Sequence, residues 1–200
     1  MSGYKATLID CKQCHRRILV RGVDAERGQI VCSHPGCGAL NTLPKAYRYD
    51  EALVQGLPGF GTLTYLGDGA RSYQLRFGSN RIGTADTADV VLDRYQHKGR
   101  CYISRQHCTL TVTFDSWAGA LRYQLQDGAI DPTTQTLKSS LNGTRLDEHP
   151  LLKTECIDVP DGAVITLGGI DRFRLTHYPL NPVMLATYRI ELGFNPDRTE

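Results

Sequence analysis

CTLTVTF, residues 108–114, alternates apolar and hydroxyl-bearing side chains without a break. Cys108, Leu110, Val112 and Phe114 fall on one face and three threonines on the other, which is the period of a half-buried antiparallel strand rich in β-favouring residues. YQLRF (73–77), RYQLQ (122–126), AVITLGG (163–169) and FRLTH (173–177) repeat the theme, and LGDGA, FGSN, QDG, LNGT and PDGA punctuate it as turn signals. Short strands at this spacing predict an all-β sandwich or barrel with these apolar residues as its core. No longer stretch places apolar residues at i, i+3, i+4 and i+7. MLATYRIEL (184–192) also alternates, which predicts a last strand followed by a frayed tail, NPDRTE.

Just before the 108–114 stretch, Ser104, Arg105 and His107 put a hydroxyl, a guanidinium and an imidazole within four positions. These groups suit a nucleophile, an anion clamp and a base, or equally a grip on a phosphate with no bond made or broken. G-x-S-x-G, the P-loop pattern and H-E-x-x-H are all absent, so catalysis lacks its usual supports and the chain is read as no enzyme. Phosphate binding has a second set of residues in Lys138-Ser139-Ser140-Leu141-Asn142-Gly143-Thr144, where Asn-Gly signals a tight turn with exposed amides. If both loops lie at one end of a sandwich, Ser104, Arg105 and Asn142 converge on a dianion. Phosphothreonine, with a charge of about −1.5 to −2 and three acceptor oxygens, is the dianion that charge-assisted donors suit.

The totals are those of a globular protein. In 200 residues, 40% are hydrophobic and 22% charged, and no run approaches the roughly 18 to 20 apolar residues of a membrane span. The N-terminus has no apolar core of roughly 7 to 15 residues for a signal peptide, so a cytoplasmic setting without membrane contact is expected. Formal charge is +2, too small to draw in nucleic acid over distance; nucleic acid is an unlikely partner.

In that setting seven cysteines read as metal ligands or reduced thiols before disulfides. Cys11-x-x-Cys14 and Cys32-x4-Cys37 form two pairs whose turns can complete a tetrahedron of thiolates around a structural Zn2+. Arg17–Val20 and Gln29–Val31 would supply a hairpin between them, the longer second turn leaves His34 as a stand-in ligand, and a redox pair is the alternative. A segment of about 40 residues needs such a metal to fold. Cys101, Cys108 and Cys156 are read as buried thiols. The expected organisation is a zinc ribbon at 1–43, a linker at 44–59 with one helical turn around Tyr47 to Leu53, a β-sandwich at 60–178, and a C-terminal extension at 179–200. The ribbon resembles modules that bind nucleic acid or protein, and Lys12, Arg16, Arg17 and Arg21 are available for such contacts or form a solvated face.

Between about residues 60 and 177 the chain resembles a forkhead-associated domain. The likeness rests on Ile82-Gly83, Asp89-Val90-Val91-Leu92, Ser104-Arg105-Gln106-His107, Ser140-Leu141-Asn142-Gly143-Thr144 and Asp161 to Gly168, in the family's order. It implies an eleven-strand sandwich that recognises phosphothreonine peptides through loops at one end, in Ser/Thr kinase signalling. It further implies that Ser104 and Asn142 touch ligand, with Arg105, Ser140 and Gly143 beside them, while Gly83, His107 and Thr144 support the loops. The family's arginine after the first glycine is here Thr84, so Arg81, Arg105 or Arg100 must supply the missing charge, or else the domain binds a constant partner without phosphate. The oligomeric state is not readable.

Overall fold

A computed structural model describes residues 7–21, 24, 27–43, 46–131 and 133–192; the expected frayed tail lies outside them. The chain divides into two compact units, one of residues 1–50 with 186–200 and one of residues 51–185. No helix among the described residues is long and apolar enough to cross a membrane.

In the larger unit, strand after strand buries alternate residues. Cys108–Asp115 pairs with Ala120–Asp127 and with Gly78–Gly83, and Cys156–Asp158 and Val90–Val91 complete a five-stranded sheet. The second sheet has six strands, in the order His149–Pro150, Thr144–Leu146, Val164–Leu167, Asp171–Thr176, Thr62–Tyr65 and Ser72–Gln74. Together they make the β-sandwich expected from the alternation. Leu110, Val112, Tyr123, Leu125, Ile165, Leu167, Phe173 and Leu175 are each almost fully buried, and each such side chain contributes roughly 1.5–3 kcal/mol by leaving water.

Four polar residues share those inward positions: Asn80, Asp127, Thr144 and Asp171. FGSN is more than a turn, because Asn80 lies inside the Gly78–Gly83 strand. Its carboxamide accepts from Arg76 N–H and donates to Arg76, Gly78 and Leu110 carbonyls, so the buried group is satisfied. Cys108 is buried as expected, but Cys101 and Cys156 are exposed. Cys156 opens a strand whose outer positions face solvent, and Cys101 lies in a loop, so neither belongs to the core.

The smaller unit corrects the expected hairpin. Arg17–Val20 pairs with Thr7–Asp10, and Gln29–Val31 pairs with Leu40–Thr42. Each cysteine pair thus sits at the turn of its own hairpin, which a C-x2-C or C-x4-C knuckle can close without help from the other. Ile9, Ile18 and Ile30 pack around the four sulfurs. Within the stretch read as a linker, Ala46–Tyr49 pairs with Arg189–Leu192 and a 3-10 turn spans Glu51–Gly56. The alternating MLATYRIEL splits, its first part belonging to the α-helix Pro182–Thr187 and only its end forming the strand.

Candidate functional site

Three loops meet at one end of the sandwich. Strand Gly78–Gly83 leads into Thr84 and Ala85, whose N–H groups bond the carbonyls of Ser104 and Arg105 at 3.2 and 3.0 Å. That approach needs Gly83: a Cβ there would lie 2.2 Å from the Arg105 carbonyl oxygen. On the other side, Ser104 Oγ accepts the Leu141 N–H at 3.1 Å and Asn142 Nδ2 donates to the Tyr102 carbonyl at 2.8 Å. Ser104 and Asn142, 38 positions apart in sequence, therefore stand on abutting loops. Ser104 keeps its own hydroxyl proton to donate, and Arg105 is exposed and forms no ion pair among the described residues.

His107 joins the two sheets beneath this rim. Its Nδ1 accepts the Ser104 N–H at 2.9 Å, which fixes the proton on Nε2, and Nε2–H donates to the Gly143 carbonyl at 3.0 Å. Burial pushes the imidazole below its ordinary pKa, against the opposing pull of the Gly143 carbonyl and the charges of Asp127 and Asp171. The unfolded ring, with a pKa of about 6.5, then binds more protons than the folded one below that pH, so stability present above it is lost as pH falls toward the lowered value. A protonated Nδ1 also cannot accept from Ser104. Melting temperatures measured from pH 7.5 down to 5 should fall more steeply for the wild type than for His107→Gln, and parallel curves would refute this account.

Ser140, expected beside the ligand, braces its loop. Its Oγ donates to Asp127 at 2.7 Å and accepts Gly143 N–H at 2.9 Å, while its own N–H reaches Asp127 at 3.1 Å. Thr144 donates to the same carboxylate at 2.6 Å. Asp127 thus organises the Ser140–Thr144 turn, and its role was missed in the sequence. The signal existed, because Tyr123, Leu125 and Asp127 share one face of a strand and an inward acid requires partners.

Of the arginines expected to replace the absent one, Arg105 stands at the rim, whereas Arg81 is engaged elsewhere. Arg81 Nε and Nη2 hold Asp89 at 2.8 and 3.2 Å, a paired geometry that commits the guanidinium to the residue just before the strand Val90–Val91. Thr84 is buried. Arg100 is exposed and joined through its backbone to His97.

In the smaller unit, the Sγ atoms of Cys11, Cys14, Cys32 and Cys37 all lie within 4.8 Å of one another. Cys11 and Cys37, and Cys14 and Cys32, are 3.7 Å apart, too far for disulfides at about 2.05 Å. The four cysteines could hold one metal ion. Backbone N–H groups of Cys14 and Gln13 pull the Cys11 thiol down to about 6, while burial pushes Cys32 up to about 12. Asn41, also missed in the sequence, accepts Lys12 N–H at 2.8 Å and donates toward Cys11 Sγ at 3.7 Å, linking the two knuckles. His34 is no ligand: its ring bonds the Arg17 carbonyl at 2.9 Å.

The family model described as the FHA domain matches residues 77–168. StAR-related lipid transfer protein 9 of Mus musculus is 30% identical over 131 residues, 64% of this chain but only 2% of that protein's length. Similar solved structures include a chain from a structural and functional analysis of phosphothreonine-dependent FHA domain interactions, 27% identical over 60% of this chain and 99% of that one, with a TM-score of 0.42. Another is the FhaA FHA domain complexed with the intracellular domain of Rv3910, 27% identical over 57% and 98%, with a TM-score of 0.40. Residues 77–168, which match the forkhead-associated (FHA) domain, hold the five-stranded sheet, the rim loops and the His107 bridge described above, while three strands of the second sheet lie outside the match.

Proposed function

We propose that this chain is a non-catalytic adaptor in Ser/Thr kinase signalling that binds phosphothreonine peptides at the Ser104–Asn142 rim. The observation that carries the reading is the convergence of Ser104, Asn142 and an exposed, uncommitted Arg105 on abutting loops held by His107. A hydroxyl, a carboxamide and a guanidinium supply donors for three phosphate oxygens, and no group in the set is arranged as a base for bond cleavage. Each hydrogen bond to a charged oxygen is worth roughly 1.5–3 kcal/mol. Ser104→Ala and Asn142→Ala should therefore each weaken a phosphothreonine peptide by about 10- to 150-fold, measured by calorimetry against its unmodified twin. Equal affinity for phosphorylated and unmodified twins would end this reading.

One observation favours a second reading, a phosphate-independent assembly module. Arg81 is spent on Asp89, and the carboxylates of Asp127 and Asp171 lie buried beneath the rim, a field that disfavours a dianion. Under it, the chain captures one partner regardless of phosphate and keeps it in both variants.

For the smaller unit, the proposed metal is structural zinc. Zn–S bonds of about 2.3 Å set tetrahedral sulfurs about 3.8 Å apart, close to the 3.7 Å separations of both close pairs. Four thiol ligands with no water position suit zinc in a closed site.

A further inference from the structure

Residues 93–100 form a strap that leads directly into the rim. Asp93, Tyr95 and His97 are its half-buried positions, and Arg94, Gln96, Lys98, Gly99 and Arg100 its exposed ones. The inward set is anchored at every step. Asp93 pairs with Arg71 at 2.5 Å. The Tyr95 ring stacks on Tyr65 at 3.7 Å between centroids, and its hydroxyl meets that of Tyr73 at 2.6 Å. His97 Nε2 reaches Oδ1 of the fully buried Asp171 at 2.8 Å, an oxygen that also accepts from Tyr65. The strap then closes a tight turn, with Lys98 and Gly99 at φ of 52° and 76° and both backbone bonds made between His97 and Arg100. Two residues after Arg100, Tyr102 offers the carbonyl that holds Asn142.

A solvated basic loop needs no such anchoring. With the inward positions fixed, the alternation holds Arg94 and Lys98 outward, and neither forms an ion pair among the described residues, whereas Arg71, Arg81, Arg122 and Lys138 are all paired. Cations carried on an anchored backbone cost little backbone freedom when an anionic partner arrives, so their charge is usable for recognition. We propose that the strap reads acidic residues flanking the phosphothreonine, and that the ligand of this domain is an acidic phosphopeptide. This inference rests on the phosphothreonine reading above and adds the class of peptide.

The test uses the full chain and two phosphothreonine peptides that differ only in having three glutamates or three glutamines beside the phosphorylated residue. Two exposed ion pairs, each worth roughly 0.2–1 kcal/mol, predict that the wild type favours the glutamate peptide about fivefold. That ratio should shrink as salt rises. In Arg94→Gln/Lys98→Gln, which leaves every anchor and the exposed Arg100 in place, the ratio should fall to below about twofold, with the glutamine peptide bound as by the wild type. Equal binding of both peptides by the wild type, or an unchanged ratio in the variant, overturns the inference while leaving phosphothreonine recognition standing if Ser104→Ala still weakens both. Failure of either phosphopeptide to outbind its unmodified twin removes the underlying reading and the inference with it.

Discussion

Treating the full chain with a strong chelator should release one zinc ion per chain and unfold the hairpins of residues 7–42. Among the described residues, the core around the sulfurs consists of Cys11, Ile18 and Cys32 with a few partly covered neighbours, and beyond it Val20 and Leu43 are buried. Structural zinc contributes roughly 10–16 kcal/mol in small domains of this kind, far more than such a core supplies. Without the cation, four sulfurs within 4.8 Å must stay protonated or repel. Amide exchange read by mass spectrometry should then rise across both hairpins to the rate of unstructured chain, and Cys11→Ser should do the same without chelator. Unchanged protection after complete metal removal, or no bound metal in the protein as purified, would contradict the assignment. Asn41→Ala should produce a weaker version, because it removes a strut between the knuckles and leaves the thiols intact.

Gly83→Ala is the second change expected to have a large effect. The added methyl would sit 2.2 Å from the Arg105 carbonyl oxygen and 2.9 Å from the Cα of Gln106, and these are backbone atoms that cannot swing aside. To make room, the Ser104–Arg105 segment must leave Thr84 and Ala85, breaking the bonds at 3.2 and 3.0 Å and shifting Ser104 away from Leu141. Overpacking of this kind costs about 3 kcal/mol, which for a unit of this size lowers the melting temperature by roughly 10 °C. Phosphopeptide binding should fall with it. Gly59→Ala is the control: its methyl would make ordinary contact with the Tyr178 ring at 3.7 Å, so stability should hardly move. A melting temperature for Gly83→Ala equal to that of the control would show that the loops are not packed as described.

Much of this protein is legible in its sequence because a strand's period of two is local. Alternation through Cys108–Phe114, Tyr123–Leu125 and Phe173–Leu175 identifies the core faces of the sandwich. The same rule, applied without regard to polarity, marks Asn80, Asp127 and Asp171 as inward and so as groups needing partners. The spacing of the two cysteine pairs likewise announced a shared site, since knuckle geometry depends on only a few residues. The hairpin between them was misread because strand pairing is a choice among partners: Arg17–Val20 can meet either neighbour by pattern, and the turn at Cys11–Cys14 favours Thr7–Asp10.

What the sequence could not decide was how side chains distant along the chain divide their hydrogen bonds. Arg81, Arg100 and Ser140 looked alike as donors near an anion. Only the packed structure spends Arg81 on Asp89, turns Ser140 inward to Asp127 and leaves Arg105 open. The choice depends on which acceptor lies within about 3 Å, a distance set by the layering of two sheets. Local periodicity therefore determined the strands and the metal-binding turns, while tertiary proximity alone decided which polar groups remain available to a ligand.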